Sequence, residues 1–113
     1  MSALAEAARH FVNAYHERAE LVAEQKGWRC AIALVAVEGG AVTVRVEDGR
    51  ITGVVDHEEP ADVLITSDLS TLTDVLELRR HPNEPYVFGE LTLRGPEADF
   101  LRLDYIATLL CPR

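Results

Sequence analysis

The chain has 113 residues, and Asp plus Glu outnumber Lys plus Arg by 19 to 11, a formal net charge of -8. That excess of acid argues against a protein that grips nucleic acid by its phosphates, because such affinity rests on clustered Lys and Arg. With 48% hydrophobic residues, the chain has the composition of one folded domain, residues 1–113, rather than of a disordered segment. No run approaches the roughly 18 apolar residues of a membrane span, and the start M-S-A-L-A-E-A-A-R-H has no basic stretch leading into an apolar one. Stable membrane insertion is therefore not expected, and a cytoplasmic location is. Cys30 and Cys111 have no metal or redox spacing and are expected to be reduced and inert.

In chain order, residues 3–25 carry Leu4, Ala8, Phe11, Tyr15 and Val22 at helical intervals, with charged residues between them, and Gly27 follows. This predicts one amphipathic helix. Residues 28–37 are apolar at nearly every position and end in Glu38-Gly39-Gly40, which predicts a central strand buried on both faces. Trp28, Ile32 and Leu34 fall on its larger face, and the smaller face of Ala31, Ala33, Val35 and Val37 is expected to lie close beneath a helix. Val42, Val44 and Val46 then alternate with Thr43, Arg45 and Glu47, Asp48-Gly49 marks a tight hairpin, and residues 50–56 return. Residues 28–56 thus read as a three-stranded antiparallel meander.

His57-Glu58-Glu59-Pro60 interrupts the pattern, and residues 61–66 resume it with Val63 and Ile65 on one face. Ser67 or Asp68 is placed to cap a helix with an apolar stripe of Leu69, Leu72, Val75, Leu76 and Leu78, ending near Arg80. Residues 79–85 contain two prolines and read as a loop. Residues 86–110 close the chain. They predict a strand with Gly89, Leu91 and Leu93 on one face, a turn at Gly95-Pro96 and an amphipathic helix with Pro96 as its first residue. The fold class is α+β, with a mixed five-stranded sheet in which the crossover through the middle helix places its two strands parallel.

Three segments, V-R-V-E-D-G-R-I, P-A-D-V-L-I-T-S-D and F-G-E-L-T-L-R-G-P, resemble in their order and spacing the sterol carrier protein 2 (SCP2) family. The resemblance covers about residues 3–110. It implies an SCP2-like sheet covered by helices, with an apolar tunnel between them for a fatty-acyl chain, an acyl-coenzyme A, a sterol or an isoprenoid-like lipid. It brings no catalytic residues and no cofactor. Asp62, Gly89 and Gly95 match its motifs as fold-keeping positions. Where the family usually has a glycine soon after the middle helix, this chain reads R-R-H-P-N-E-P.

Such a pocket needs apolar side chains that line a space without filling it. The candidates are Phe11 and Tyr15 on the first helix, Leu72, Val75 and Leu76 on the middle one, and Phe88, Gly89, Phe100, Leu103, Ile106 and Leu110 around the last unit. Stripes like these are also what an ordinary core uses. His57, Glu58, Glu59 and Asp62 match no metal signature, His10 and His16 fall on different helix faces, and no metal is expected. Arg79, Arg80 and His81 could attract the phosphates of an acyl-coenzyme A, but the favoured reading is that they complement the negative end of a helix dipole. The expected function is non-catalytic binding and transfer of a hydrophobic lipid. The alternative is a non-enzymatic accessory or dimerisation module without an open cavity, and the sequence leaves room for a homodimer.

Overall fold

The computed structural model describes residues 2–111. Helix α1, Ala3–His16, starts at Ser2, whose Oγ accepts from the Ala5 N–H at 3.1 Å and itself donates to Asp56 at 2.6 Å. One serine therefore caps a helix and ties its start to the end of the third strand. The single helix expected over residues 3–25 is divided, and a second helix, α2, runs Ala19–Glu24. The break lets the adjacent Leu21 and Val22 both become buried, which one straight stripe would not allow.

Strands β1 (Cys30–Ala36), β2 (Ala41–Glu47) and β3 (Arg50–Val55) form the expected meander, closed by Asp48 and Gly49 at φ 50° and 79°. Strands β4 (Val63–Ser67) and β5 (Leu91–Arg94) complete a five-stranded sheet in the order β3-β2-β1-β4-β5. The sheet is mixed, as expected, but its parallel pair is β1 with β4, and β5 runs antiparallel to β4. The reason lies in the connection. Two helical segments bring the chain back to the end of β4 it left, so that Leu91 pairs with Ser67.

Helices α1 and α2, the helix after β4 and the last helix of the chain pack over one face of the sheet. Cys30, Ile32, Leu34 and Ala36 of β1, Val42, Val44 and Val46 of β2, and Val63 of β4 form the core beneath them. The larger face of β1 is thus the covered one, reversing the expectation. Ala5, Ala7 and Ala8 of α1 supply the small side chains that let a helix approach it closely. On the opposite face, residues 57–59 fold back over the sheet, where Thr43 Oγ1 donates to the His57 carbonyl and accepts from the Glu59 N–H, both at 2.9 Å.

Helix α3, Leu69–Leu76, is capped by Asp68, which accepts from the Thr71 N–H and hydroxyl at 2.7 and 2.9 Å; Ser67 instead donates to the Glu90 carbonyl. It stops short of Arg80 because Leu78 takes φ 63°, and bonds from Leu78 N–H to Val75 O and from Arg79 N–H to Asp74 O close the last turn. This is the closure usually built on glycine, made here with leucine.

The expected loop over residues 79–85 and strand from Tyr86 are both corrected by a short helix, α4, Asn83–Val87. Pro85 is tolerated there because a first-turn residue has no intrahelical use for its N–H. Gly89, at φ 76°, terminates α4 with bonds from Gly89 N–H to Tyr86 O and from Glu90 N–H to Pro85 O. Its glycine serves a helix end, not a strand. Helix α5, Glu97–Leu110, follows with Pro96 at its N-cap, one position before the expected place. Among the described residues, no helix is long and apolar enough to cross a membrane.

Candidate functional site

The predicted lining divides into three groups. Tyr15, Leu72, Leu76 and Ile106 are buried in the main cluster, with Phe11, Phe100, Leu103 and Leu110 half-buried against it. Helices α1, α3 and α5 therefore bring these side chains together over the sheet. Val75 is half-buried on α3 and outside that cluster. Phe88 is the exception: it is 74% exposed, because the residues around it are helical. Gly89 lies beside it in the exposed turn, and although a Cβ there would meet nothing within 4 Å, that space is solvent and does not mark a cavity.

Polar groups inside the cluster serve the fold. Tyr15 is 1% exposed, and its Oη donates to the Gly49 carbonyl at 2.6 Å. Burial holds its phenol above the ordinary range despite opposing attraction from Arg102 and Arg50. His16 Nε2 accepts from the Ile51 N–H at 3.1 Å, and burial, with Arg50 nearby, lowers its pKa and favours the neutral ring that this bond requires. Cys30 is buried and its thiol is pushed up to about 12, first by desolvation and then by Asp99 and Asp62. These groups lack the exposure and activation a nucleophile needs.

Helix α5 is held differently from α1 and α3. Its inner side contributes Ile106 and the half-buried Phe100, Leu103 and Leu110. Its flank is tethered by polar side chains. Trp28 Nε1 donates to Asp99 at 3.1 Å, Arg102 stacks over the Trp28 ring at 5.2 Å and reaches Gln25, and the Tyr105 hydroxyl donates to Glu24 at 2.9 Å. Arg18 donates to the Leu109 carbonyl in the last turn. Between α2 and α5 lies a cavity of about 570 Å³ lined by Glu17, Arg18, Ala19, Glu20, Leu21, Glu24, Tyr105 and Leu109. The sequence reading missed this groove; the i, i+4 pair Tyr105 and Leu109 was its available signal.

A second cavity of about 360 Å³ lies on the far face of the sheet, floored by Ala33 and Leu64 and rimmed by residues 58–61. Glu59 in this rim accepts from Arg45 at 2.5 Å and contacts His57, and the Arg45 hydrogen bond leads in lowering its pKa. Asp62 accepts from the Ala31 N–H at 2.9 Å. The acidic loop is thus engaged with the far face of β2 and with the start of β1. Among the described residues, no three His, Cys, Asp or Glu side chains are grouped to hold a metal ion.

No protein-family model matches the sequence, and neither does any curated protein. Solved structures do match. A conserved hypothetical protein from Thermus thermophilus is 26% identical, with 94% of this chain covering 82% of that one at a TM-score of 0.67. A sterol carrier protein 2 is 24% identical, with 95% of each chain covered and a TM-score of 0.65. A sterol carrier protein domain 2 from Helicoverpa armigera is 16% identical, with 94% and 86% covered and a TM-score of 0.71.

Proposed function

Because this chain is an SCP2-like domain, we propose that it binds the hydrocarbon part of a lipid between α5 and the α1–sheet layer and hands it on without chemical change. The observation that carries this reading is the contrast along the inner side of α5. Ile106 is buried, whereas Phe100, Leu103 and Leu110, with Phe11 opposite them, are half-buried. A lipid chain entering there displaces half-made contacts rather than a finished core.

The magnitudes favour such an opening. Each lipid methylene that leaves water contributes about 0.8 kcal/mol. Each tether from α5 to α2 or Trp28 contributes only about 0.5–1.5 kcal/mol net. A chain of ten or so methylenes, at about 8 kcal/mol, therefore outweighs the loss of several tethers. Recognition by apolar burial carries little directional information, so specificity for chain type is broad. A fatty acyl chain, an acyl-coenzyme A tail and a sterol or isoprenoid-like skeleton all meet the same requirement.

Extraction of the purified protein with organic solvent, followed by mass spectrometry, is expected to recover lipid in near-stoichiometric amount, and a fluorescent fatty acid is expected to bind at micromolar concentration. Failure of both measurements with correctly folded protein would overturn the carrier reading. It would leave the accessory or dimerisation module, which is favoured by the close packing of Tyr15, Leu72 and Ile106.

A further inference from the structure

We propose that the tip of α4 docks the protein on an electrically neutral lipid surface, the place where ligand is collected and released. This inference rests on the carrier reading for its purpose but has its own observations. Tyr86, Val87 and Phe88 are consecutive and 51%, 67% and 74% exposed, an apolar protrusion where a short soluble helix would ordinarily carry polar residues. Aromatic side chains of this kind settle at the boundary between headgroups and acyl chains.

The backbone beneath them suits that environment. Glu84 N–H donates to His81 O, Tyr86 N–H to Pro82 O, Phe88 N–H to Glu84 O, Gly89 N–H to Tyr86 O and Glu90 N–H to Pro85 O, while Pro85 has no N–H. Asn83 N–H donates to His81 Nδ1. The tip can therefore leave water with these donors already satisfied, which is the chief requirement for backbone entering an apolar medium.

Charge selects the surface. The neighbouring cations are occupied: Arg79 is held by Asp74 and Glu77, and Arg80 by Glu84 at 2.9 Å and Glu90 at 3.5 Å. With a formal net charge of -8, the molecule is repelled by an anionic bilayer, and these paired arginines do little to offset that repulsion. A zwitterionic surface meets the tip without this cost. Position links it to the proposed site. His81, just before α4, bonds Thr108 of α5 at 3.0 Å, and Cys111 bonds the Leu78 carbonyl, so the segment that carries the tip is anchored to the last turn of α5.

The test uses the full chain with Phe88→Trp as reporter, titrated with phosphatidylcholine vesicles whose acyl chains are brominated. Quenching of the new indole, absent in the parent protein with its buried Trp28, is expected. Val87→Asp in the same background should lower partition onto the vesicles about tenfold, while binding of a soluble fluorescent fatty acid is unchanged. Replacing part of the phosphatidylcholine by phosphatidylserine should weaken partition. No quenching, an unaltered Val87→Asp partition, or stronger binding to the anionic vesicles would each overturn the proposal. If quenching occurs but the fatty acid does not bind the parent protein, docking stands and the carrier reading alone falls.

Discussion

Tyr15 and Gly49, 34 positions apart, meet in the interior through a 2.6 Å bond from the phenol to the turn carbonyl. The same glycine donates its N–H to the Trp28 carbonyl at 2.9 Å, and Asp48 accepts from the Gly27 N–H at 2.7 Å. The β2–β3 turn is thereby bolted to both α1 and the start of β1.

Tyr15→Phe is expected to cost about 1–2 kcal/mol, because it leaves the turn carbonyl without that donor. Urea unfolding should show a lower midpoint at unchanged slope. The folded phenol titrates above its ordinary value of 10.0, so the unfolded chain ionises first. The advantage of Tyr15 is full below that value and is lost as pH rises through the folded one. The difference between parent and variant should therefore shrink in alkaline solution.

His16 has the opposite dependence. Its folded pKa lies below 6.5, so both states are neutral above that value and the contribution is intact there. As pH falls below it, the unfolded chain gains the proton first and stability declines until the folded ring is also protonated. His16→Gln should flatten this acid-side decline in denaturation midpoints measured from pH 7 to pH 5.

Gly95→Ala should be severe. A Cβ there would stand 2.5 Å from the Asp62 carbonyl oxygen and 3.2 Å from the Val63 Cα, at φ 140°, and backbone atoms cannot swing aside. A loss of about 2–4 kcal/mol is expected. Gly53→Ala in β3, where a Cβ meets nothing within 4 Å, should leave the melting temperature unchanged or slightly raised.

Leu103→Trp should put a bulky indole where the proposed lipid would lie along the inner side of α5. The fluorescent fatty acid should bind about tenfold or more weakly, with the circular dichroism spectrum retained. Unchanged affinity would place the lipid elsewhere, with the groove at Tyr105 and Leu109 the next position to block.

The two free thiols should separate by reactivity. Iodoacetamide is expected to label the half-buried Cys111 in the native protein and the buried Cys30, with its thiol raised to about 12, only in urea. Mass spectrometry of the labelled chain reads both sites. Native labelling of Cys30 would contradict its burial.

Much of this architecture was legible locally. The alternating valines of β2, the Asp48-Gly49 turn, the Asp68 cap and the apolar run of β1 each identify an element from a few adjacent residues, because their periods and turn geometries are set by neighbouring side chains and backbone sterics. The same signals gathered most of the candidate lining, from Phe11 to Leu110, onto the correct helices.

Other features required the folded chain. No residue type announces that Leu78 will take a left-handed conformation, and the strand-like alternation of Gly89, Leu91 and Leu93 concealed the end of a helix stiffened by Pro85. Those two reversals return the chain to the end of β4, which decides that β5 runs antiparallel and that Phe88 faces outward. Local sequence was enough to say which segments are mostly helix or strand and which side chains seek burial. Strand direction and the covered face of β1 were settled by packing, because these depend on where distant segments compete for the same surface.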